Sequence, residues 1–241
     1  MNRLVRATYN RLPKSAKELI HFVYLHTWVL PGIHRTYRFL SLSDTFTRIY
    51  ATKTWGEGSG PGSRGLVAEQ YIEDVSGFIA ARNIKSVVDL GCGDFHIGRQ
   101  IVEQTGVDYT GVDIVSDLVE QHSGKFSNDR VRFMCANILT DELSMAELCL
   151  VRQVLQHLSN TEIGTALKNI SKYPMTLISE DVPKHPRSFN RDKPHGPDYR
   201  GHWRSGVYLD RPPFSLTIDE LWQRDLDITS ILRTVLWRNE P

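Results

Sequence analysis

Two closely spaced glycines, Gly91 and Gly93, are the residues of this sequence best placed to approach a ligand. They follow the apolar run at residues 87–90, which is typical of a strand buried on both faces. After them, Phe95 and Ile101 restart an apolar pattern at helical spacing. A strand, a glycine turn and a helix in this order open a nucleotide-binding βαβ unit.

An acid at the end of the next predicted strand, Asp113, is the second chemical feature. It stands 24 positions after Asp89, close to the distance at which a ribose-binding acid follows such a turn. A carboxylate there can accept hydrogen bonds from both ribose hydroxyls, although an acid at a strand end is also a common turn residue. The spacing therefore favours a ligand that contains a ribose.

The residue at position 96 narrows the class of ligand. A dinucleotide site needs a third glycine there, and the sequence has His96, which obstructs a pyrophosphate at the helix N-terminus. The carboxylate of Asp89 beside the turn also disfavours phosphate and suits a cation. The sequence thus indicates that the ligand is a positively charged adenosine compound without a pyrophosphate. S-adenosylmethionine fits this description. A nicotinamide-dependent oxidoreductase is disfavoured.

The motif around the turn resembles that of class I S-adenosylmethionine-dependent methyltransferases. More narrowly, the chain resembles a group of them often found with bacterial surface-polysaccharide biosynthesis, over about residues 44–238. The matching segments are Val88-Asp89-Leu90-Gly91-Cys92-Gly93-Asp94-Phe95 with the later Asp113, Trp55-Gly56 with Ser59-Gly60-Pro61-Gly62-Ser63, Val151-Arg152-Gln153 with His157-Leu158-Ser159, and Gly201-His202-Trp203-Arg204 with Pro212-Pro213-Phe214.

This resemblance implies the fold, the domains and the activity. The expected fold is α/β, with a doubly wound, mainly parallel, seven-stranded Rossmann-like methyltransferase sheet. A basic and apolar helical extension would occupy residues 1–43, and the methyltransferase domain residues 44–241. The implied reaction is O-methylation of a saccharide or polysaccharide precursor, with S-adenosylmethionine as the cofactor. Another small-molecule or lipid-linked acceptor, and a non-catalytic protein of the same fold, are the alternatives.

The resemblance also assigns the cofactor-binding residues. The resemblance implies that residues 56–63 form a lid over the cofactor. Their glycine-rich composition alone would indicate a flexible linker. Two positions depart from the family pattern: Asn137 stands where an acid often holds the adenine amine, and Gln153 where an acid often follows the arginine. The expected cofactor-binding residues are Trp55, Gly60, Ser63, Asp89, Gly91, Gly93, Asp94, Phe95, Asp113, Ile114, Asn137, Ile138 and Arg152.

A hydroxyl acceptor must lose its proton, which requires a general base. Histidine suits this role because its ordinary pKa lies close to the operating pH. His157 is the leading candidate for this base, followed by His96 and His202, and Asp181 is a weaker candidate. The alternative for His157 is a residue that only packs. The alternative for Asp181, as for Glu180, is a solvated residue at a strand end. The acceptor, anionic or sugar-like, would contact Arg152 and, in the loop at residues 180–213, Tyr199, Trp203 and Arg204.

Strands that alternate with helices must position these residues, as in a parallel, doubly wound sheet. We predict caps at residues 43–45 for a helix through Tyr50 and at Ser116 for a helix that stops at Gly124. The capping box at 159–162 opens a helix through Ile170. The other predicted elements are helices at 67–81 and 217–224, strands at 109–114, 131–135, 148–151 and 175–179, and an antiparallel edge strand at 228–237.

The first forty residues differ from the rest in charge. They contain seven lysines and arginines against Glu18 alone, whereas the chain as a whole has a net charge of +1. The apolar run at 19–30 is either a helix packed on the main domain or an interfacial helix on anionic lipid. It lacks the features of a secretory signal. We expect a cytoplasmic protein, which would be peripheral at the inner face of the membrane if residues 1–40 bind lipid. We expect no nucleic-acid partner, no metal and three reduced, buried cysteines.

Overall fold

The chain divides into two units, Met1–Phe39 and Leu40–Pro241. The structure is a computed structural model that describes residues 13–24, 29–37 and 39–239. In the first unit, helices α1 (Lys14–Tyr24) and α2 (Leu30–Tyr37) cover most of the predicted apolar run, part of which lies outside the described residues. Over the described ranges, helices are too short or too polar to cross a bilayer. Whether α1 contacts lipid stays a prediction.

The second unit is built on a seven-stranded sheet with the strand order β3-β2-β1-β4-β5-β7-β6. The first five strands pair in parallel, and β7 pairs antiparallel with both β5 and β6. The strands are β1 (Ser86–Leu90), β2 (Asp108–Asp113), β3 (Val131–Cys135), β4 (Leu148–Arg152), β5 (Met175–Pro183), β6 (Asp219–Asp225) and β7 (Ser230–Arg238). The helices are α3 (Leu42–Ala51), α4 (Leu66–Arg82), α5 (His96–Thr105), α6 (Ser116–Phe126) and α7 (Asn160–Ile170).

Both faces of the sheet are covered, because successive side chains on a strand point to opposite faces. Val88 and Cys149 belong to a core that α7 completes, with α3 packed at its edge. Their neighbours Val87 and Leu148 belong to a second core with α4 and α5. This is why β1 and β4 are mostly apolar, with Asp89 and Arg152 near their carboxyl ends, and it confirms the predicted doubly wound α/β sheet of seven strands.

The last two strands differ from the prediction. Residues 217–224 were expected to form a helix, but Asp219–Asp225 form β6, so β6 and not β7 is the edge strand. Leu221 and Trp222 pack against the core, and Glu220 accepts a hydrogen bond of 2.6 Å from Arg233 on the neighbouring strand. Pairing with β7 therefore overrides the local helical preference of this segment.

Two helix caps also differ from the prediction. Helix α3 begins earlier than expected, because the hydroxyl of Ser41 accepts the N–H of Asp44. Helix α6 has no side-chain cap: Ser116 is already its first residue, and the helix continues past Gly124 to Phe126. A single exposed glycine is thus tolerated inside a helix whose neighbours continue the pattern.

Two further expectations are corrected, one by the exposure of a cysteine and the other by strand pairing. Cys92 and Cys149 are free and buried as predicted, but Cys135 is exposed. Strand β5 extends past its predicted end at Ser179, because residues 180–183 pair with β7.

The capping box of α7 is present as predicted and gives a test of the fold. The hydroxyl of Ser159 accepts the N–H of Glu162, and the Glu162 carboxylate accepts the N–H of Ser159. We expect Ser159→Ala to lower the free energy of unfolding by about 1 kcal/mol in urea denaturation. Ser171→Ala, at the other end of the same helix, serves as the control and should change it by less than about 0.5 kcal/mol. Equal losses would contradict the role of the cap.

Candidate active site

A cavity of about 610 Å³ lies over the carboxyl ends of the parallel strands, where open α/β sheets bind their ligands. Its lining comes from sequence positions between Leu42 and Ser230. The structure brings most of the predicted site residues together there. Those that line the cavity are Trp55, Gly60, Ser63, Asp89, Gly91, Gly93, Asp94, Asp113, Ile114, Ile138, Arg152, His157, Asp181 and Tyr199.

The glycine turn needs glycine for two reasons. Gly91 and Gly93 have φ angles of +75° and +56°, which L-residues with a side chain rarely adopt. A Cβ atom at Gly91 would also collide with Val154, and one at Gly93 with the hydroxyl of Ser59. The predicted glycine turn is therefore present, and both glycines line the cavity.

Asp113 is held at the end of β2 by this turn. Its Oδ2 accepts the N–H of Gly93 at 3.0 Å, and its Oδ1 accepts the N–H of Val115 at 3.1 Å. Burial raises the pKa of Asp113, and these backbone donors oppose that rise. Each oxygen keeps a lone pair for a further donor, so the carboxylate can accept the two hydroxyls of a ribose.

Asp89 and Arg152 lie beside the turn, on β1 and β4. Tyr109 donates a hydrogen bond of 2.6 Å to Asp89, and burial raises the pKa of Asp89 to about 6. The guanidinium of Arg152 lies over the ring of Tyr71 and donates to the carbonyl of Gly62 at 2.6 Å. Its buried Nε has no hydrogen-bond partner among the described residues. Arg152 can therefore take a carboxylate from a ligand in the cavity.

The segment at residues 55–63 is tied to the glycine turn. Ser59 accepts the N–H of Asp94 at 2.8 Å, while the N–H of Ser59 donates to the Asp94 carboxylate. Tyr50 hydrogen-bonds to the same serine hydroxyl, and Trp55 donates to the carbonyl of Pro197 at 3.0 Å. These contacts favour the lid hypothesis over the flexible linker.

His157 is buried against the lid. Its ring lies 4.8 Å from the ring of Trp55, and its Nδ1 donates to the carbonyl of Asp198 at 3.3 Å. Burial, with Lys193 nearby, lowers the pKa of His157 to about 4. The imidazole is thus neutral at pH 7 but a weaker base than the sequence led us to expect, which favours the packing interpretation.

A buried clamp fixes the turn that carries His157. Glu180 accepts the N–H groups of Leu155 and Gln156, while Arg200 donates to the carbonyls of Leu155, Gln156 and Leu158. Glu180 is 3% exposed, so it is no solvated strand end, and burial raises its pKa to about 8. Arg200 is 1% exposed, and sequence reasoning missed it because an arginine in a polar loop carries no signal of burial.

Six predicted site residues lie outside the cavity lining, and one of them is the candidate base His96, the first residue of α5. Phe95 is buried in the core between Tyr109 and Phe133, and Asn137 accepts the N–H of Leu139, two residues later in its own turn. The others are His202, Trp203 and Arg204, which follow β5 in the late loop; Arg204 donates to the carbonyl of His185. The expected acceptor site on Trp203 and Arg204 is therefore not assembled at this cavity.

Several lining residues were not predicted. Phe46 and Tyr50 stand four positions apart on one face of α3, a spacing that could have indicated their shared role. Asp227 lies in the turn between β6 and β7, which the wrong helix prediction concealed, and Ser230 is the first residue of β7. Over the described part of the chain, the side chains form no cluster that could hold a metal ion.

The clamp predicts a large effect of removing Arg200. Arg200→Gln leaves the carbonyls of the turn short of donors, and we expect it to lower the free energy of unfolding by about 3 kcal/mol. Urea denaturation measures the loss. Arg187→Gln, on an exposed arginine of the same loop, should stay within about 0.5 kcal/mol of the unmodified protein. A comparable result for both variants would show that Arg200 does not hold the turn.

The pair of Glu162 and His195 predicts a pH dependence of stability. His195 Nδ1 lies 2.6 Å from Glu162 Oε1, and this hydrogen bond raises the pKa of His195 above its ordinary 6.5. Burial opposes ionisation of Glu162, but hydrogen bonds from His195 and Ser159 lower its pKa from 4.5 to about 2. The histidine contribution is complete below about pH 6.5 and lost as pH rises through the raised pKa. The glutamate contribution is complete above about pH 4.5 and lost as pH falls towards 2.

His195→Gln therefore should destabilise the protein more at pH 5.5 than at pH 8.5. Urea denaturation at the two pH values measures the difference, with His185→Gln as the exposed control. A loss for His195→Gln that is the same at both pH values would contradict the ion pair.

Comparison with known proteins agrees with this geometry. Residues 87–173 match the family model of a methyltransferase domain. Solved structures with the same fold include the methyltransferase domain of bacterial CtHen1, with a TM-score of 0.54 and 14% identity over 72% of this chain and 100% of that one.

Two further structures are similar. Human N-acetylserotonin methyltransferase in complex with S-adenosylmethionine has a TM-score of 0.54 and 16% identity over 90% of this chain and 66% of that one. The N-terminal domain of EvdMO1 with S-adenosylhomocysteine bound has a TM-score of 0.52 and 13% identity over 83% and 98%. None of the curated proteins matches the sequence. The family match is thus to a methyltransferase domain over residues 87–173, and the solved structures show that the chain has the fold of S-adenosylmethionine-binding methyltransferases.

Proposed function

We propose that this methyltransferase methylates an oxygen of a saccharide or polysaccharide precursor, and that the cavity described above binds both S-adenosylmethionine and the acceptor. The observation that carries the cofactor assignment is the Asp113 carboxylate, fixed by the backbone of the glycine turn at the end of β2. It offers acceptors for a ribose at the strand end where this fold holds one.

The charge of the lining supports the same cofactor. Arg152 is the one lysine or arginine among the described lining residues, against five carboxylates: Asp89, Asp94, Asp113, Asp181 and Asp227. An excess of carboxylates favours a ligand with a net positive charge and opposes the pyrophosphate of a dinucleotide. S-adenosylmethionine meets both conditions, since it has an ammonium, a sulfonium and one carboxylate.

Different residues of the cavity would bind different parts of the cofactor. Asp113 and Ile114 would hold the ribose, and Ile138 the apolar face of the adenine, because they follow β2 and β3. Arg152 would pair with the carboxylate of the methionine part through its unpaired Nε, and Asp89 would face the ammonium. When bound, the cofactor supplies an electrophilic methyl group. The enclosed cavity can then contribute to the rate by placing the acceptor atom in line with it.

The saccharide acceptor is supported by the motif resemblance. In addition, the N-terminal domain of EvdMO1, which has this fold, has been crystallised with S-adenosylhomocysteine in the presence of D-fucose. Another small-molecule or lipid-linked acceptor, or a role as a non-catalytic partner, is the alternative.

Calorimetry with S-adenosylmethionine and with NAD tests the cofactor assignment. We expect S-adenosylmethionine to bind and NAD not to bind. Asp113→Ala should lower the affinity for S-adenosylmethionine by at least about fivefold, or about 1 kcal/mol, since charge-assisted hydrogen bonds are lost. Asp117→Ala, which removes an exposed acid in the first turn of α6, should leave the affinity unchanged. Binding of NAD without S-adenosylmethionine would overturn the assignment, and binding of neither would favour the non-catalytic partner.

A further inference from the structure

We propose that Asp181 and Asp227 form the acceptor subsite of this cavity, that the subsite receives an uncharged, hydroxyl-bearing acceptor, and that Asp181 takes the proton of the reacting hydroxyl. The inference rests on the proposed function and adds to it the charge class of the acceptor and the identity of the base.

The strand order separates the subsite from the cofactor residues. Asp113 ends β2, and β5 lies three strands away in the order β2-β1-β4-β5, which is about 14 Å at the usual strand spacing. Strand β5 pairs with β4 only as far as Ser179, so Asp181 stands beyond the end of β4. One side of β5 is therefore open to the cavity at this point.

The antiparallel hairpin completes the subsite. Because Pro183 of β5 pairs with Ser230 of β7, the turn between β6 and β7 lies next to the end of β5. That turn carries Asp227, which lines the same cavity as Asp181 and Tyr199. Donors of Thr229 and Ser230 fix Asp227 through hydrogen bonds to its Oδ1, and these lower its pKa. The turn thus holds a second, ionised carboxylate at this end.

Asp181 combines a raised pKa with a carboxylate oxygen that has no hydrogen-bond partner in the described part of the chain. Its Oδ1 is buried and has no hydrogen-bond partner among the described residues. Leaving such an acceptor unpaired costs free energy, which a donor from a bound acceptor molecule would recover. Burial raises the pKa of Asp181 to about 6; a side-chain hydrogen bond with Ser230 opposes this rise, and the charge of Asp227 adds to it. The carboxylate is therefore ionised at neutral pH and a stronger base than His157.

The charges of the subsite select against anions. Lysine and arginine are absent from the described lining at this end, since Arg152 lies on β4 and is engaged with Gly62 and Tyr71. A phosphate or carboxylate on the acceptor would meet two carboxylates with no cation to offset them. This argues against the anionic acceptor that the arginines of the sequence led us to consider, and it favours a neutral polyol.

The reaction step balances with Asp181 as the base. A bond forms between the acceptor oxygen and the methyl carbon as the bond between that carbon and the sulfur breaks. The sulfur keeps the electron pair and becomes an uncharged thioether, and the hydroxyl proton passes to Asp181.

Saturation-transfer NMR on the protein loaded with S-adenosylhomocysteine tests the subsite without requiring turnover. The probes are methyl glucoside, which is neutral, and the matched methyl glucuronide, which carries a carboxylate. We expect binding of the glucoside and at least about fivefold weaker binding of the glucuronide. Asp181→Asn and Asp227→Asn should each reduce this preference severalfold. Asp225→Asn is the control, because this exposed acid on the same hairpin pairs with Lys184 away from the cavity.

The outcomes separate this inference from the proposed function. Calorimetry with S-adenosylhomocysteine on each variant shows that the variant is folded and that the cofactor site is intact; if the unmodified protein does not bind it, the proposed function fails. If it binds, then stronger binding of the glucuronide, binding of neither probe, or a preference unchanged in both variants overturns the inference alone. A loss of preference in His157→Ala but in neither aspartate variant would place the acceptor at His157 instead.

Discussion

The cavity depends on the hydrogen bonds that Glu180 and Arg200 make to the two sides of the turn at residues 155–158. A short turn leaves its N–H and C=O groups without partners, and burying them unpaired costs several kcal/mol. Glu180 satisfies the N–H side from β5, and Arg200 satisfies the carbonyl side from the late loop. Because the two groups come from different parts of the chain, the turn forms only when the late loop is docked on the sheet.

The same loop lines one side of the cavity through Pro197 and Tyr199. Pro197 accepts the indole N–H of Trp55, and Asp198 accepts the ring N–H of His157, so lid, turn and late loop meet around one aromatic contact. Lys193 and Asp198 form an ion pair that is almost completely buried. Such a pair contributes little net stability but is costly to break by halves, which makes the docked position of the loop specific.

The sequence was sufficient to predict the parallel part of the fold and many of the residues that line the cavity. Strands β1 to β4, the capping box of α7 and the cluster of Asp89, Gly91, Gly93 and Asp113 follow from local pattern and from the rule that ligands bind at strand ends. These features depend on residues close together in sequence. The class of cofactor followed from the charge of Asp89 and from the absence of glycine at position 96.

What could not be predicted depends on distant pairing. Strand β6 has a helical local preference and becomes a strand only beside β7, and its turn brings Asp227 to the cavity. The local sequence predicts a loop position for Arg200 and a surface position for Glu180, because nothing in the flanking residues shows that both will be buried against the same turn. The acceptor was sought at Trp203 and Arg204 for the same reason: aromatic and basic residues in a loop indicate binding only if the loop presents them to the cavity.

The close approach of the glycine turn to its neighbours has a consequence for how this protein can evolve. Gly93 has room for no side chain because the hydroxyl of Ser59 fills the space, and Gly91 is limited in the same way by Val154. Each contact joins segments far apart in sequence. Because the positive φ angles of Gly91 and Gly93 also disfavour any side chain, a smaller neighbour alone would not make a larger residue acceptable there, and both positions should remain glycine in related chains even where Ser59 or Val154 changes.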